Sequence, residues 1–425
     1  MAPKLPPHDV ADLGLAEAGA ARVAWAGAQM PVLARIAERF AVDRPLDGVS
    51  IGVCLHVTAE TATLARALAA GGADVALCAA NPLSTQDDVA AALVTRDGLE
   101  VYARHGEDLD RYAEHVGALV ARGPDVTLDD GADLITVLHD ARPDVVERMR
   151  GATEETTTGL VRLRAMEAEG RLACPVIAVN EARTERAFND RYGTGQSTID
   201  GILRATNVLL AGAVVVVVGY GWTGKGIALR AHGLGASVIV CEVDPIRALE
   251  ARMEGFQVMT ALRAAERGDI FITVTGNTAV LSTEHFERMK DGAILANAGH
   301  FDVEIDLGAL AALSTARREV RPLVEEFEVG GRRLNLLARG RVVNLASAEG
   351  HPSAVMDLSF ATQALAVEDL VRGDAGLGPG VHAFPAALDR EVARLKLDAL
   401  GVKIDELTAD QSAYANAWVP APHEE

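Results

Sequence analysis

Lysine is nearly missing from this chain: Lys4, Lys225, Lys290, Lys396 and Lys403 are the only lysines among 40 basic residues, which face 60 acidic ones for a formal charge of −20. A basic face of the size that phosphate-backbone binding needs cannot be assembled from such a composition, so nucleic acid is excluded as a partner and small molecules are expected. Cysteine is equally scarce. Cys54, Cys78, Cys174 and Cys241 lie far apart, mostly in apolar runs such as "VIVCEVD", without metal-ligand or disulfide spacing. They read as buried free thiols, and no metal is expected. Long apolar runs are absent too. The longest, "NVLLAGAVVVVVG", is too short to cross a membrane, and the opening "MAPKLPPHDVADLG" has no apolar core for a signal peptide. A cytoplasmic protein with no membrane partner is the expectation.

What is present suffices for two or three domains with full cores, in 425 residues of which 49% are hydrophobic. The stretch "GVSIGVCLHVTAETATLARALAAGGADVALCAAN" alternates a short β-branched run, a helix-patterned segment, a glycine pair and a second apolar run, the pattern of a βαβ unit. Strand-like runs in "DVTLDDGADLITVLHD" and "PVIAVN" continue it to about residue 190. A second pattern begins at "AVVVVVGYGWTGKGIALRAHGLGASVIVCEVDP" and runs through "DIFITVT", "AILANAG" and "LNLLARGRVVNLA". The fold class predicted is α/β, with two Rossmann-like doubly wound parallel-sheet domains and a short C-terminal tail.

Gly219, Gly221 and Gly224 form G-x-G-x-x-G directly after a strand and at the start of a helix. Glycine there permits the tight turn and the close backbone approach that a pyrophosphate on a helix N-terminus requires. Glu242 ends the next strand, where a carboxylate accepts from ribose hydroxyls and repels a 2′-phosphate. NAD is the cofactor predicted. The domains expected are a substrate-binding α/β domain at 1–190, completed by about 353–400, an NAD-binding Rossmann domain at 191–352, and a tail at 401–425.

With this motif placed, the chain resembles the S-adenosylhomocysteine hydrolase family from about residue 8 to residue 418. The resemblance rests on "LHVTAETA", "NPLSTQDDVAAAL", "DDGADL", "EETTTG", "GYGWTGKG", "EVDPIRALEARMEG", "TVTGN", "NAGHFDVEID", "GHPSAVM" and "DQSAYA". It implies a redox-neutral reaction on an adenine nucleoside: oxidation of the 3′-hydroxyl, loss of the acidified C4′ proton, β-elimination of the 5′ substituent, addition of water and return of the reducing equivalents. It implies a homo-oligomer, dimer or tetramer. Position by position, His56, Asp130, Glu155 and His300 match catalytic groups, and Thr58 with Glu60 matches adenine-edge contacts. His351, Met356 and Phe360 match the substrate side. Thr156, Thr157, Thr158, Asn180, Asn277 and Asn344 match positions that hold the cofactor with the three glycines and Glu242. Taken singly, several have plainer explanations: Thr153 and the acids after it fit a capping box, and Asp129, Asp130 and Asp133 fit a solvated turn.

The segment "TERAFNDRYG", residues 184–193, departs from that pattern. The family reads T-K-x-K-F-D-N-x-Y-G, with the lysine and the aspartate set on the sugar hydroxyls; here the lysine position is Glu185, the aspartate position is Asn189, and Asp190 takes the asparagine place. Thr194 stands where many members have cysteine. A lysine of tunable pKa can take and return a hydroxyl proton, and Arg186, always protonated, cannot replace it. Glu185 is the candidate base if burial among carboxylates raises its pKa, and Asp190 the group that holds a diol or orients water. Glu349 replaces a methionine near the adenine and the substrate gate, and "WVPAPHEE" replaces a K-P-x-x-Y-R-Y-like tail whose lysine and tyrosine reach a neighbouring subunit's NAD. Three readings follow. The first is a dehydratase that expels water from the sugar's terminal carbon and leaves an exocyclic alkene, as in angustmycin-type nucleosides. The second is an adenosylhomocysteinase with a compensated site. The third is a non-catalytic NAD-binding regulator.

Overall fold

The computed structural model of the protein describes residues 5–373 and 376–416. Seven strands open the chain: β1 (His8–Val10), β2 (Ser50–Leu55), β3 (Asp74–Ala79), β4 (Glu100–Ala103), β5 (Val126–Asp129), β6 (Gly151–Glu154) and β7 (Pro175–Ala178). Eight more follow: β8 (Val214–Val218), β9 (Ser237–Cys241), β10 (Gln257–Val258), β11 (Ile270–Thr273), β12 (Ala293–Asn297), β13 (Ser314–Arg321), β14 (Val324–Val329) and β15 (Arg332–Leu337), and β16 (Gly380–Ala383) closes the set. The first sheet has the order β1-β4-β3-β2-β5-β6-β7-β16, with every neighbouring pair parallel. The second has the order β10-β9-β8-β11-β12-β15-β14-β13, parallel as far as β15. Two doubly wound α/β sheets result. Helices cover both faces, which is why β8 is five valines in succession, all but the first buried, rather than an alternating strand.

Three local readings are corrected. In "DVTLDDGADLITVLHD" only Val126–Asp129 is strand; Asp133–Ala141 is a helix that buries Leu134, Ile135 and Leu138, a 3.6-residue period hidden in a β-branched run. In "LNLLARGRVVNLA" the strand stops at Leu337 and Val343–Ala346 is a helical turn. The second sheet also has an antiparallel edge, β13-β14-β15. Gly330 and Gly331, with φ of 57° and 77°, make the tight β14–β15 turn that this edge requires. No described helix is long and apolar enough to cross a membrane.

The chain passes from the first sheet to the second through a π-helix, Glu185–Thr194, which runs directly into the helix Gly195–Thr206. It returns along the helix Ser353–Arg372, whose residues are mostly buried. The entry to the π-helix is clamped from far away in sequence. Asp389, on the helix Ala386–Ala399, accepts from the backbone N–H groups of Arg183 (2.8 Å) and Thr184 (3.1 Å) and from the Thr184 hydroxyl (2.5 Å). The strand order reverses between β2 and β5 in one sheet and between β8 and β11 in the other, although both pairs are parallel. Such switch points open a crevice beyond the carboxyl ends of the strands. The tail helix Ala409–Asn416 is exposed throughout, and "WVPAPHEE", residues 418–425, lies outside the described residues.

Candidate active site

The two crevices share one cavity of about 1030 Å³. Leu55 and His56 enter it from the end of β2, Asp130 from β5, Gly219 from β8 and Thr275 from β11. All the site residues expected from the sequence line this cavity except Gly224 and Glu185.

On the second sheet's side, Gly219 has φ of +105°, and a Cβ there would stand 2.8 Å from the Val274 carbonyl oxygen. A Cβ at Gly224 would stand 2.1 Å from the Gly219 oxygen, so this glycine lets the helix Trp222–Gly233 close onto the strand. Gly221, the N-cap of that helix, faces open space, with no atom nearer to a Cβ than Arg247 at 4.0 Å. Glu242 at the end of β9 is fixed by backbone N–H groups of Tyr220 (2.7 Å), Val243 (2.7 Å) and Asp244 (3.0 Å). Across the cavity Asn344 donates to Ser197 Oγ at 3.1 Å, while its buried Oδ1 has no partner and is open to a carboxamide N–H. Thr156 caps the helix Thr157–Ala168, Thr157 donates to Asn180 Oδ1 (3.0 Å), and Asn180 Nδ2 donates to the Glu155 carbonyl (2.9 Å). Thr158 and Asn277 line the same side. The open helix N-terminus, the acidic strand end and the orphan acceptor fit NAD.

On the first sheet's side, the Ser84 hydroxyl donates to the Asn81 carbonyl at 2.9 Å, so it accepts from His56 Nδ1–H at 2.7 Å. His56 Nε2 then faces Asp130 Oδ2 at 3.2 Å, a contact that becomes an ion pair when the imidazole takes up a proton. Burial lowers the His56 pKa, against the Asp130 charge that raises it. His300 approaches the other Asp130 oxygen at 3.8 Å. A proton taken up by this imidazole would lie beside a carboxylate at the cavity surface, where general-acid transfer to a bound group is geometrically open.

Carboxyl groups gather where the π-helix, with Glu185 and Asp190, faces Glu155 at the end of β6. Glu155 accepts from the Ser359 hydroxyl at 2.7 Å and from Gln363 at 3.3 Å, and burial, then the Asp130 charge, pushes it up to about 7. Burial likewise pushes Asp190 up to about 7 against the nearby Arg186 charge. Glu185 is 1% exposed and stands behind Asn189. Its pKa is raised well above the usual carboxylate range by burial and by the charges of Glu155 and Asp190. His351, held near 4 by burial, is neutral and bonds Asn189 Oδ1 through Nδ1 at 2.6 Å and Thr194 Oγ1 through Nε2 at 2.9 Å.

Toward the first sheet's helices, Thr58 caps the helix Ala59–Ala70 and Glu60 accepts from the Ser353 hydroxyl at 2.5 Å. Met356 and Phe360, one turn apart on the return helix, add apolar lining. Glu349 stands where the main cavity meets a side cavity of about 280 Å³, and its carboxylate reaches Arg22 at 3.0 Å and Arg204 at 3.7 Å.

Several contributors had no local signal. Ser359, Gln363 and Asp389 lie about 200 residues from the groups they hold. Ser84 sat in a quoted motif, yet only its bond to His56 gives it a role. The capping-box reading of Thr153 is corrected, because Thr153 is a strand residue donating to Gln363 at 2.6 Å and the cap is Thr156. The solvated-turn reading fails for Asp129, whose buried carboxylate accepts from Leu134 N–H at 2.8 Å.

Two family models match the chain. "S-adenosyl-L-homocysteine hydrolase, NAD binding domain" covers residues 190–350, and "S-adenosyl-L-homocysteine hydrolase" covers residues 7–145. An Adenosylhomocysteinase of Aquifex aeolicus is 58% identical, over 96% of this chain and 98% of that protein. An Adenosylhomocysteinase of Gloeobacter violaceus is 55% identical, over 97% and 96%. An S-inosyl-L-homocysteine hydrolase of Methanosarcina mazei is 53% identical, over 95% and 98%.

Proposed function

From the premise that this chain belongs to the S-adenosyl-L-homocysteine hydrolase family and uses NAD, we propose that it is a dehydratase acting on an adenine nucleoside with a free hydroxyl at the terminal sugar carbon. The single observation that carries the reading is the rebuilt wall. Where the family resemblance calls for a lysine and an aspartate, a buried Glu185 is bonded to the Asn189 amide, behind Glu155 and Asp190.

NAD, when bound, accepts the electrons of the 3′ carbon and gives them back. The residues do the rest. Glu155 and Asp190, both near 7 and both lining the cavity, are matched to exchanging the 3′-hydroxyl proton and the C4′ proton at neutral pH. Glu185 has no such access, so it acts through them rather than on the sugar. His56, beside Asp130, is placed to take up a proton and pass it to the departing hydroxide, which leaves as water; a hydroxide is too basic to depart without one. Bond accounting closes: one C–H and one C–O bond break, one C=C forms, and the ketone returns to the alcohol. The product is an exocyclic alkene nucleoside of the angustmycin type.

The second reading is hydrolysis of adenosylhomocysteine, favoured by the names and high identity of the relatives. Incubating the NAD-loaded protein with adenosylhomocysteine and with hydroxyl-bearing adenine nucleosides, while following NADH absorbance and product mass, tests the proposal. Loss of one water from a nucleoside is the expected outcome, and homocysteine release alone contradicts it.

A further inference from the structure

A buried carboxyl group outside the cavity lining joins the two strand ends from which Asp130 and Glu155 enter the cavity. Glu154, the last residue of β6, is 0% exposed. Its Oε1 accepts from the Gly131 backbone N–H at 2.9 Å, from the Thr156 backbone N–H at 2.8 Å and from the Thr156 hydroxyl at 2.7 Å. Gly131 directly follows Asp130 and Thr156 directly follows Glu155, so one oxygen holds both loops on which these two groups stand. The strand register agrees. Asp129 and Glu154 are paired across β5 and β6, which sets Asp130 and Glu155 side by side one residue further on. The Thr156 hydroxyl relays the contact, accepting from the Gly159 N–H at 3.0 Å while it donates to Glu154. A Cβ at Gly159 would stand 2.3 Å from Glu154 Cδ, so glycine there lets the first turn of the helix Thr157–Ala168 close over the carboxyl group. The other carboxyl oxygen, Oε2, is buried and has no partner among the described residues.

We propose that Glu154 is a positioning residue: by accepting from both loops through one oxygen, it fixes the separation of the Asp130 and Glu155 carboxyl groups. The role needs an acceptor at the full reach of a glutamate and does not need its charge. Three donors converge on Oε1, so an amide at 154 keeps its oxygen toward them and turns its N–H groups to the side of the unpartnered Oε2. A carboxylate one methylene shorter keeps the charge and loses the span between the loops. The separation matters because the Asp130 charge acts on Glu155, and because Asp130 stands beside His56 while Glu155 faces the sugar side. The two ends of the reaction are thus set from a single anchor. The catalytic parts given to Asp130 and Glu155 rest on the function proposed above.

The test uses NAD-loaded full-length protein in three forms: unaltered, Glu154→Gln and Glu154→Asp. The first measurement needs no substrate: crystal structures that give the distance between the Asp130 and Glu155 carboxyl groups. Glu154→Gln is expected to keep that distance, and Glu154→Asp to change it by more than about 0.5 Å, the tolerance within which a reacting constellation must be held. An unchanged distance in Glu154→Asp, or a changed one in Glu154→Gln, overturns the proposal whatever the reaction proves to be. The second measurement takes a hydroxyl-bearing adenine nucleoside and reads the first-turnover rates of NADH formation and of water loss, beside the nucleoside's Kd. Glu154→Asp is expected to lower both rates about tenfold or more with Kd within about threefold, and Glu154→Gln to stay within about threefold of the unaltered protein throughout. The reverse ranking, with Glu154→Gln slow and Glu154→Asp fast, would show that charge and not reach is what counts, and overturns the positioning role; so do unchanged rates in Glu154→Asp. Absence of NADH in the unaltered protein with every nucleoside contradicts the proposed function instead, and the structures still decide the anchor.

Discussion

The amide of Asn189 donates to the carboxylate of Glu185 four residues before it, so the hydrogen bond of this pair runs from the later residue to the earlier. A lysine at 185 and an aspartate at 189 would bond in the opposite sense and place a cation in the wall. The Glu185→Lys, Asn189→Asp double variant restores that polarity. Homocysteine release from adenosylhomocysteine is expected to rise at least about tenfold over the unaltered protein, with a matching fall in dehydration. Liquid chromatography of both products checks it. No gain in a folded, NAD-bound variant means that the reaction is chosen elsewhere.

Glu155, Asp190 and Asp129 all sit near 7 because burial disfavours their charged forms. A carboxyl group whose pKa rises on folding stabilises the fold fully below its unfolded value, 3.8 for Asp and 4.5 for Glu, and loses that contribution as pH climbs through about 7. His115, raised between Glu107 and Asp9, changes in the same direction. Calorimetry of the NAD-free protein is therefore expected to give a lower Tm at about pH 8 than at about pH 6. Asp190→Asn flattens that slope; a Tm that rises over the interval contradicts the assignment.

Gly226 lies inside the cofactor-binding helix, where a Cβ would stand 1.8 Å from the Arg191 carbonyl of the π-helix. A Cβ at Gly195 would in turn stand 2.6 Å from the Gly226 carbonyl carbon. The two helices touch backbone to backbone, so Gly226 seats the helix Trp222–Gly233 against the π-helix that walls the cavity. Gly226→Ala is expected to cost about 3 kcal/mol by overpacking and to weaken NAD retention, read by denaturant titration and by bound NAD after gel filtration. Unchanged stability would mean that the helices can separate freely.

Glu349 is anchored by Arg22 and Arg204 where the two cavities meet, but it is 60% exposed, so the pairs add little to stability. Glu349→Met is expected to change ΔG of unfolding by less than about 1 kcal/mol. Affinity for a thioether nucleoside should rise relative to a hydroxyl nucleoside. Parallel Kd measurements for the two ligands decide it.

The sequence made some of this architecture legible and hid the rest for physical reasons. Gly219, Gly221 and Gly224 followed by Glu242 announced the second sheet's crevice, because phosphate contact leaves a spacing within one βαβ unit. The replacements at Glu185 and Asn189 were visible as a break in a motif. Their consequence was not: that Glu185 lies behind the wall follows from the π-helical winding and from the return helix that brings Ser359 and Gln363. Partners so far apart in sequence meet only in the folded chain. The same holds for Asp389, and for His351, which meets Asn189 and Thr194. β13, β14 and their antiparallel pairing with β15 were missed because the Gly330–Gly331 turn sits in a charged, alternating stretch rather than an apolar run.

The central claim is that this wall eliminates water rather than a thiol. NAD-loaded protein given equal amounts of adenosylhomocysteine and an adenine nucleoside with a free terminal hydroxyl, analysed by mass after a single turnover, tests it most directly. The account predicts that the nucleoside loses the mass of one water while adenosylhomocysteine persists; homocysteine as the sole product, with the nucleoside intact, would contradict it.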